Sequence, residues 1–186
     1  MSYFESSVRV PLMVHYPKLF QPRRVPENVS TLDILPTLVD ITGSKLNPYL
    51  PIDGTSLLPQ LQGHSGRDAV FAEYCGEGTI APMMMIRRGP WKYITCPADP
   101  PQLFNLDEDP QELKNLAQAK KTVDSSGAIG KLLEDFAQEA AEKWEFEKIS
   151  KDVRQSQRQR QFVWGALKKG KFTSWDYNPI DDGREK

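Results

Sequence analysis

The sequence predicts an α/β fold in which a small four-stranded antiparallel sheet is followed by C-terminal helices, and three observations carry this. Four short apolar or aromatic runs, at residues 69–74, 83–87, 92–95 and 102–105, are separated by Gly and Pro clusters and read as a meander. Ile129, Leu132, Leu133, Phe136, Ala140 and Trp144 recur at steps of three and four with acids between them, which is an amphipathic helix. Upstream, a period-two run and a helical run stand side by side.

That period-two run is Val8, Val10, Leu12 and Val14, alternating with Arg9, Pro11 and Met13, and it predicts a strand that ends at Pro17. Next, Ser30-Thr31-Leu32-Asp33 has the form of a helix start: a hydroxyl to accept from free N–H groups and a carboxylate near the positive helix end. Leu32, Leu35, Leu38 and Val39 keep helical spacing to a stop at Gly43, and Pro36, which has no N–H, predicts a turn followed by a second helical piece. Residues 47–66 are rich in Pro and Gly and read as connecting structure with a brief helix near Ser56-Leu57-Leu58. After the helix around Phe136, Ile149, Val153, Phe162, Val163 and Leu167 mark another, and Phe172, Trp175 and Tyr177 form an aromatic tail. The organisation read from this is residues 1–66, the end of a larger α/β domain; 67–127, a small antiparallel-sheet subdomain; and 128–186, a helical extension.

Composition narrows the function. With 24 Lys and Arg against 25 Asp and Glu in 186 residues, the chain has no overall attraction for nucleic acid or an anionic membrane. No apolar run approaches the roughly 20 residues of a membrane span. Six basic residues between Arg154 and Lys171, with Phe162 and Trp164 among them, raise a nucleic-acid surface, but no nucleic-acid-binding signature accompanies them. Two cysteines, Cys75 and Cys96, give neither a disulfide framework nor zinc spacing and fit a cytoplasmic location.

Few residues can do chemistry. His15 and His64 are the only histidines, neither near a nucleophile motif, and both read as packed or solvated imidazoles. The acids Asp107, Glu108, Asp109 and Glu112 miss calcium-loop spacing and read as turn and cap chemistry. Met83, Met84 and Met85 read as core filling on alternating faces. Glu77 stands apart: it lies between Gly76 and Gly78, which permit a sharp turn and close ligand approach. A carboxylate near aromatic faces suits a quaternary ammonium, which has no N–H to donate. An exposed turn acid is the plainer reading of Glu77 by itself.

Five strings, VRVPLMVHYP, STLDILPTLVDITG, IDGTSLLPQLQG, IRRGPWKYI and LFNLDEDPQELKNLA, resemble in order and spacing the C-terminal half of type I sulfatases. AEYCGEGTIAPMMMIRRGPWKYI and QRQRQFVWGALKKGKFTSWDYNP are similar to the choline sulfatase branch and its C-terminal extension. The resemblance implies the C-terminal part of an alkaline-phosphatase-like sulfatase fold. It implies that the complete protein hydrolyses choline O-sulfate to choline and sulfate, with a formylglycine made from the cysteine of C-x-P-x-R and a divalent metal, calcium by family habit. Neither Cys75 nor Cys96 sits in that motif, and the family's Asp-His-Gly metal segment and sulfate-contacting lysine would precede Met1. This chain is therefore expected to hold no catalytic residue, metal ligand or cofactor of its own, and to be inactive alone. The resemblance gives Glu77 the trimethylammonium group of choline, and gives the extension a role in homo-oligomer contacts. Two other readings stand: a free-standing, non-catalytic interaction module derived from a sulfatase, and part of a sulfatase or phosphonate hydrolase with another substrate.

Overall fold

A computed structural model describes residues 2–45, 47, 49, 51–76, 78–118 and 127–169. The chain divides into two compact units, 1–143 and 144–186.

The first unit is built on the expected meander. Strands β1 (Ala69–Tyr74), β2 (Met83–Arg88), β3 (Trp91–Cys96) and β4 (Asp99–Asn105) pair antiparallel in the order β1-β2-β3-β4. The register places Phe71, Ile86, Tyr93 and Leu103 in one cross-strand row and Ala72, Met85, Ile94 and Gln102 in the next, so the two rows face opposite sides. The methionines divide as the alternation requires: Met84 and Met85 are both buried, on opposite faces.

Both faces are covered. Helix α1 (Glu5–Val8) and the residues before it lay Tyr3, Phe4 and Val8 on the face of Met85, Ile94 and Phe104. Leu106 completes this core. On the other face, helix α4 (Ala128–Lys143) turns its apolar stripe inward, with Leu133, Phe136 and Ala140 buried. Phe136 stacks on Tyr93 at 5.7 Å between centroids, Arg88 lies over the Phe136 ring, and Arg88 also pairs with Glu139 at 2.6 Å. Lys143 sits over Phe71, 4.3 Å from its centroid. Each buried aliphatic or aromatic side chain here contributes about 1.5–3 kcal/mol.

Ahead of the sheet, Ser30 and Asp33 form a reciprocal capping box around a single 3-10 turn, and α2 (Ile34–Thr42) follows it to Gly43 in the left-handed conformation. Pro36 falls within the first turn of α2, where a missing N–H costs nothing, so the break precedes the proline. The brief helix is α3 (Leu58–Gln62), starting two residues later than Ser56.

One expectation fails. Residues 8–14 do not form a strand: Val8 closes α1, and residues 9–16 carry no regular structure. Alternation marks a face, but a strand also needs a backbone partner, and among the described residues nothing pairs with this segment. Pro11 further removes a donor from its middle. Val10, Leu12, Met13 and Val14 stay exposed, as do Leu32 in the 3-10 turn and Leu35 and Leu38 on α2.

The second unit contains α5 (Phe146–Leu167), close to the expected helix. The aromatic tail of Phe172, Trp175 and Tyr177 lies outside the described residues.

Candidate functional site

The turn after β1 is the place the sequence singles out. Glu77 itself lies outside the described residues, but its neighbours Gly76 and Gly78 are described. Gly76 sits against the Tyr74 ring: a Cβ there would lie 3.1 Å from the ring and its hydroxyl, tighter than ordinary contact. Gly78 has φ +82, a left-handed conformation that glycine adopts without strain. Thr79 Oγ1 closes the turn by donating to the Gly76 carbonyl at 3.0 Å. Gly78 is thus favoured by its backbone conformation and Gly76 by its close approach to the Tyr74 ring.

Beneath the turn, Tyr3 is buried and its hydroxyl donates to the Met83 carbonyl at 3.2 Å. Burial raises its phenol well above the ordinary tyrosine value, and the negative charges of Cys75, Glu73 and Tyr74 add to the effect. Tyr3 is therefore a neutral hydrogen-bond donor rather than a base. The Cys75 thiol is also pushed up, first by burial and then by Glu73. A raised thiol leaves less thiolate at neutral pH, which makes Cys75 a poor nucleophile. At pH 8, iodoacetamide should alkylate Cys75 several-fold more slowly than a free thiol, as peptide mapping would read; an equal rate would contradict this environment.

Sequence reasoning missed the charged anchors of the first unit. Lys92 is completely buried in β3, and its ammonium donates to the Tyr3 carbonyl at 2.9 Å, to Glu112 Oε1 at 2.8 Å and to Glu5 Oε1 at 2.6 Å. Glu112 Oε2 accepts from the Glu5 backbone N–H at 2.6 Å. Glu112 holds φ 57, a left-handed conformation that costs a non-glycine residue about 1–2 kcal/mol. The cluster pins α1 onto the sheet. Of the acids read as turn and cap chemistry, Asp109 closes a turn with no helix behind it, accepting from the Leu113 and Lys114 N–H groups, whereas Glu112 belongs to this clasp. The signal for Lys92 was present: a lysine between Trp91 and Tyr93, in a strand whose alternation directs it inward.

Asp33 is a second anchor, 2% exposed. It accepts from the Ser30 N–H, from the Thr55 N–H and from Arg67 Nη2 at 2.8, 2.8 and 2.9 Å. It ties the start of α2 to the connecting segment and to the approach to β1. Arg87, the cross-strand partner of Lys92, is held less well: its Nη1 is buried without a hydrogen bond, and burial lowers its pKa against the opposing pull of Glu5, Asp68, Asp107 and Glu112.

His15 and His64 are both exposed. His15 lines a groove of about 600 Å³ together with Phe20, Arg23, Arg24 and Leu57, and the Arg23 guanidinium packs on Gly63. Among the described residues no three His, Cys, Asp or Glu side chains converge as a metal-ligand group. No helix among them is long and apolar enough to cross a membrane.

Residues 1–139 match the family described as N-sulphoglucosamine sulphohydrolase, C-terminal, and residues 151–186 match Choline sulfatase enzyme C terminal. The choline-sulfatase of Rhizobium meliloti (strain 1021) is 39% identical over 188 residues, covering 100% of this chain and 36% of that protein. Arylsulfatase K of Mus musculus is 41% identical over 130 residues, covering 63% of this chain and 23% of the relative. In structure, a putative sulfatase from Bacteroides thetaiotaomicron VPI-5482 superposes with a TM-score of 0.50 at 29% identity, covering 68% of this chain and 26% of that one. The chain thus spans about a third or less of the length of these relatives.

Proposed function

Because the chain belongs to the sulfatase family and has the C-terminal part of its alkaline-phosphatase-like fold, we propose that it serves a choline sulfatase, supplying part of the choline pocket rather than the reacting centre. The observation that carries this reading is the similarity to choline-sulfatase along the whole chain, through both the turn at Gly76 and Gly78 and the C-terminal region. In this reading the complete protein hydrolyses choline O-sulfate in the cytoplasm. The formylglycine and a divalent cation, calcium by family habit, would be held by residues outside this chain; neither Cys75 nor Cys96 has the C-x-P-x-R context. No step at sulfur is assigned to this chain.

What the chain would contribute is recognition. Trimethylammonium presents a diffuse positive charge with no hydrogen to donate, so a carboxylate and aromatic faces are the groups that can hold it. Gly78 turns the backbone at φ +82, and the Tyr74 ring lies directly against Gly76. In the complete protein, Glu77→Gln should raise KM for choline O-sulfate by about tenfold, the equivalent of about 1.4 kcal/mol, with kcat nearly unchanged. Steady-state sulfate release measures both, and an unchanged KM would remove Glu77 from the pocket.

The exposed side chains of Val10, Leu12 and Val14, with those of Leu32, Leu35 and Leu38, suit burial against the remainder of a sulfatase. The C-terminal region from residue 151 onward is assigned to contacts between copies in a homo-oligomer. A different sulfate ester as substrate is the second reading, favoured by the 41% identity with arylsulfatase K over 130 residues. Hydrolysis of aryl sulfates but not of choline O-sulfate would select it.

A further inference from the structure

The connection from β1 to β2 leaves Tyr74 and rejoins the sheet at Met83, and these two residues are the last register pair of the hairpin. Beyond that pair no ladder places residues 75–82, so other contacts must. Thr79 closes the turn onto Gly76, but the one large apolar side chain of the connection, Ile80, is 89% exposed and seats nothing. Two polar ties reach its far limb from outside the hairpin. Cys96 of β3 donates from Sγ to the Ala81 carbonyl at 3.9 Å, a weak bond. Tyr3 donates to the Met83 carbonyl at 3.2 Å, across 80 residues of sequence.

Tyr3 is fastened at its other end as well. Its own carbonyl accepts from Lys92 Nζ at 2.9 Å, and its ring is buried in the core of Met85, Ile94 and Phe104. Lys92 pairs with Arg87, which lies four residues along β2 from Met83, about 13 Å at the rise of a strand. The residue therefore reaches from the ionic clasp to the base of the turn. A close-packed core leaves such a ring little room to change rotamer, so the hydroxyl is a fixed point. Burial also keeps the phenol protonated, which preserves it as a donor.

We infer that Tyr3 is a positioning residue for substrate recognition: its hydroxyl holds the Met83 end of the turn that Gly76 and Gly78 shape, and so sets where that turn meets the cationic end of the substrate. This deepens, and rests on, the choline reading of the turn. Tyr3 acts through the Met83 backbone and not by touching substrate. Losing the hydroxyl should therefore weaken recognition of the ammonium group while leaving the chemistry at sulfur alone.

Tyr3→Phe removes the oxygen and keeps the ring in the core, and kinetics of the complete protein test it. KM for choline O-sulfate should rise about three- to fivefold at unchanged kcat. The kcat/KM for 3,3-dimethylbutyl sulfate, in which carbon replaces the charged nitrogen, should not move. Val8→Ala, a truncation in the same core away from the turn, should alter neither ester. In a Glu77→Gln background, Tyr3→Phe should raise KM no further, because both act through one contact. Equal losses for the two esters, an unchanged KM, or additive effects in the double variant would overturn the inference and leave the choline reading standing. An unchanged KM in Glu77→Gln alone would overturn that reading and this inference with it.

Discussion

Lys92→Met should lower the stability of the first unit by about 3–5 kcal/mol, the range found when one partner of a buried ion pair is removed. The ammonium has three hydrogens and three acceptors, the Tyr3 carbonyl and the carboxylates of Glu5 and Glu112, so its donors are fully used. Methionine matches the stem and loses all three bonds. It leaves the Glu112 carboxylate, whose side chain is 2% exposed, without its counter-charge. The urea midpoint reads the loss, and hydrogen exchange at residues 2–8 should accelerate most, because the clasp is what holds α1 to the sheet. An unchanged midpoint would mean that the aromatic contacts of Phe4 and Phe104 suffice to seat that segment.

The second large effect is expected at Asp33. Asp33→Ala strands two backbone N–H groups and the Arg67 guanidinium, and it removes half of the capping box, so a loss of about 3 kcal/mol follows. Asp33→Asn keeps the shape and one acceptor, and should lose about half as much. The same urea titration compares them. Equal losses would show that the charge rather than the hydrogen-bond geometry holds the site together.

These two anchors also mark the limit of what the sequence discloses. The meander was legible because apolar alternation and Gly or Pro punctuation agree at every turn, and α4 was legible because its stripe repeats at helical spacing beside Phe136 and Ala140. The run at residues 8–14 misled for the same reason that the strands were found: alternation reports a face, not a pairing partner. Asp33 was recognised only as a local cap, since its bonds to Thr55 and Arg67 span 22 and 34 residues. Lys92 escaped notice and Glu112 was read as turn chemistry because a charged residue reads as solvated until its partners are known, and these two lie 20 residues apart. The likeness to sulfatases was legible in full strings rather than in any single residue. Composition and spacing alone led no further than a turn acid at Glu77.

The choline reading turns on charge rather than on size, and one comparison separates them. Choline O-sulfate and its carbon isostere, 3,3-dimethylbutyl sulfate, differ only in the positive nitrogen. Their kcat/KM ratio in the complete protein measures what the pocket draws from that charge. The account predicts a preference for choline O-sulfate of about tenfold or more that Glu77→Gln abolishes. Equal values for the two esters, or a preference that the substitution leaves intact, would contradict it.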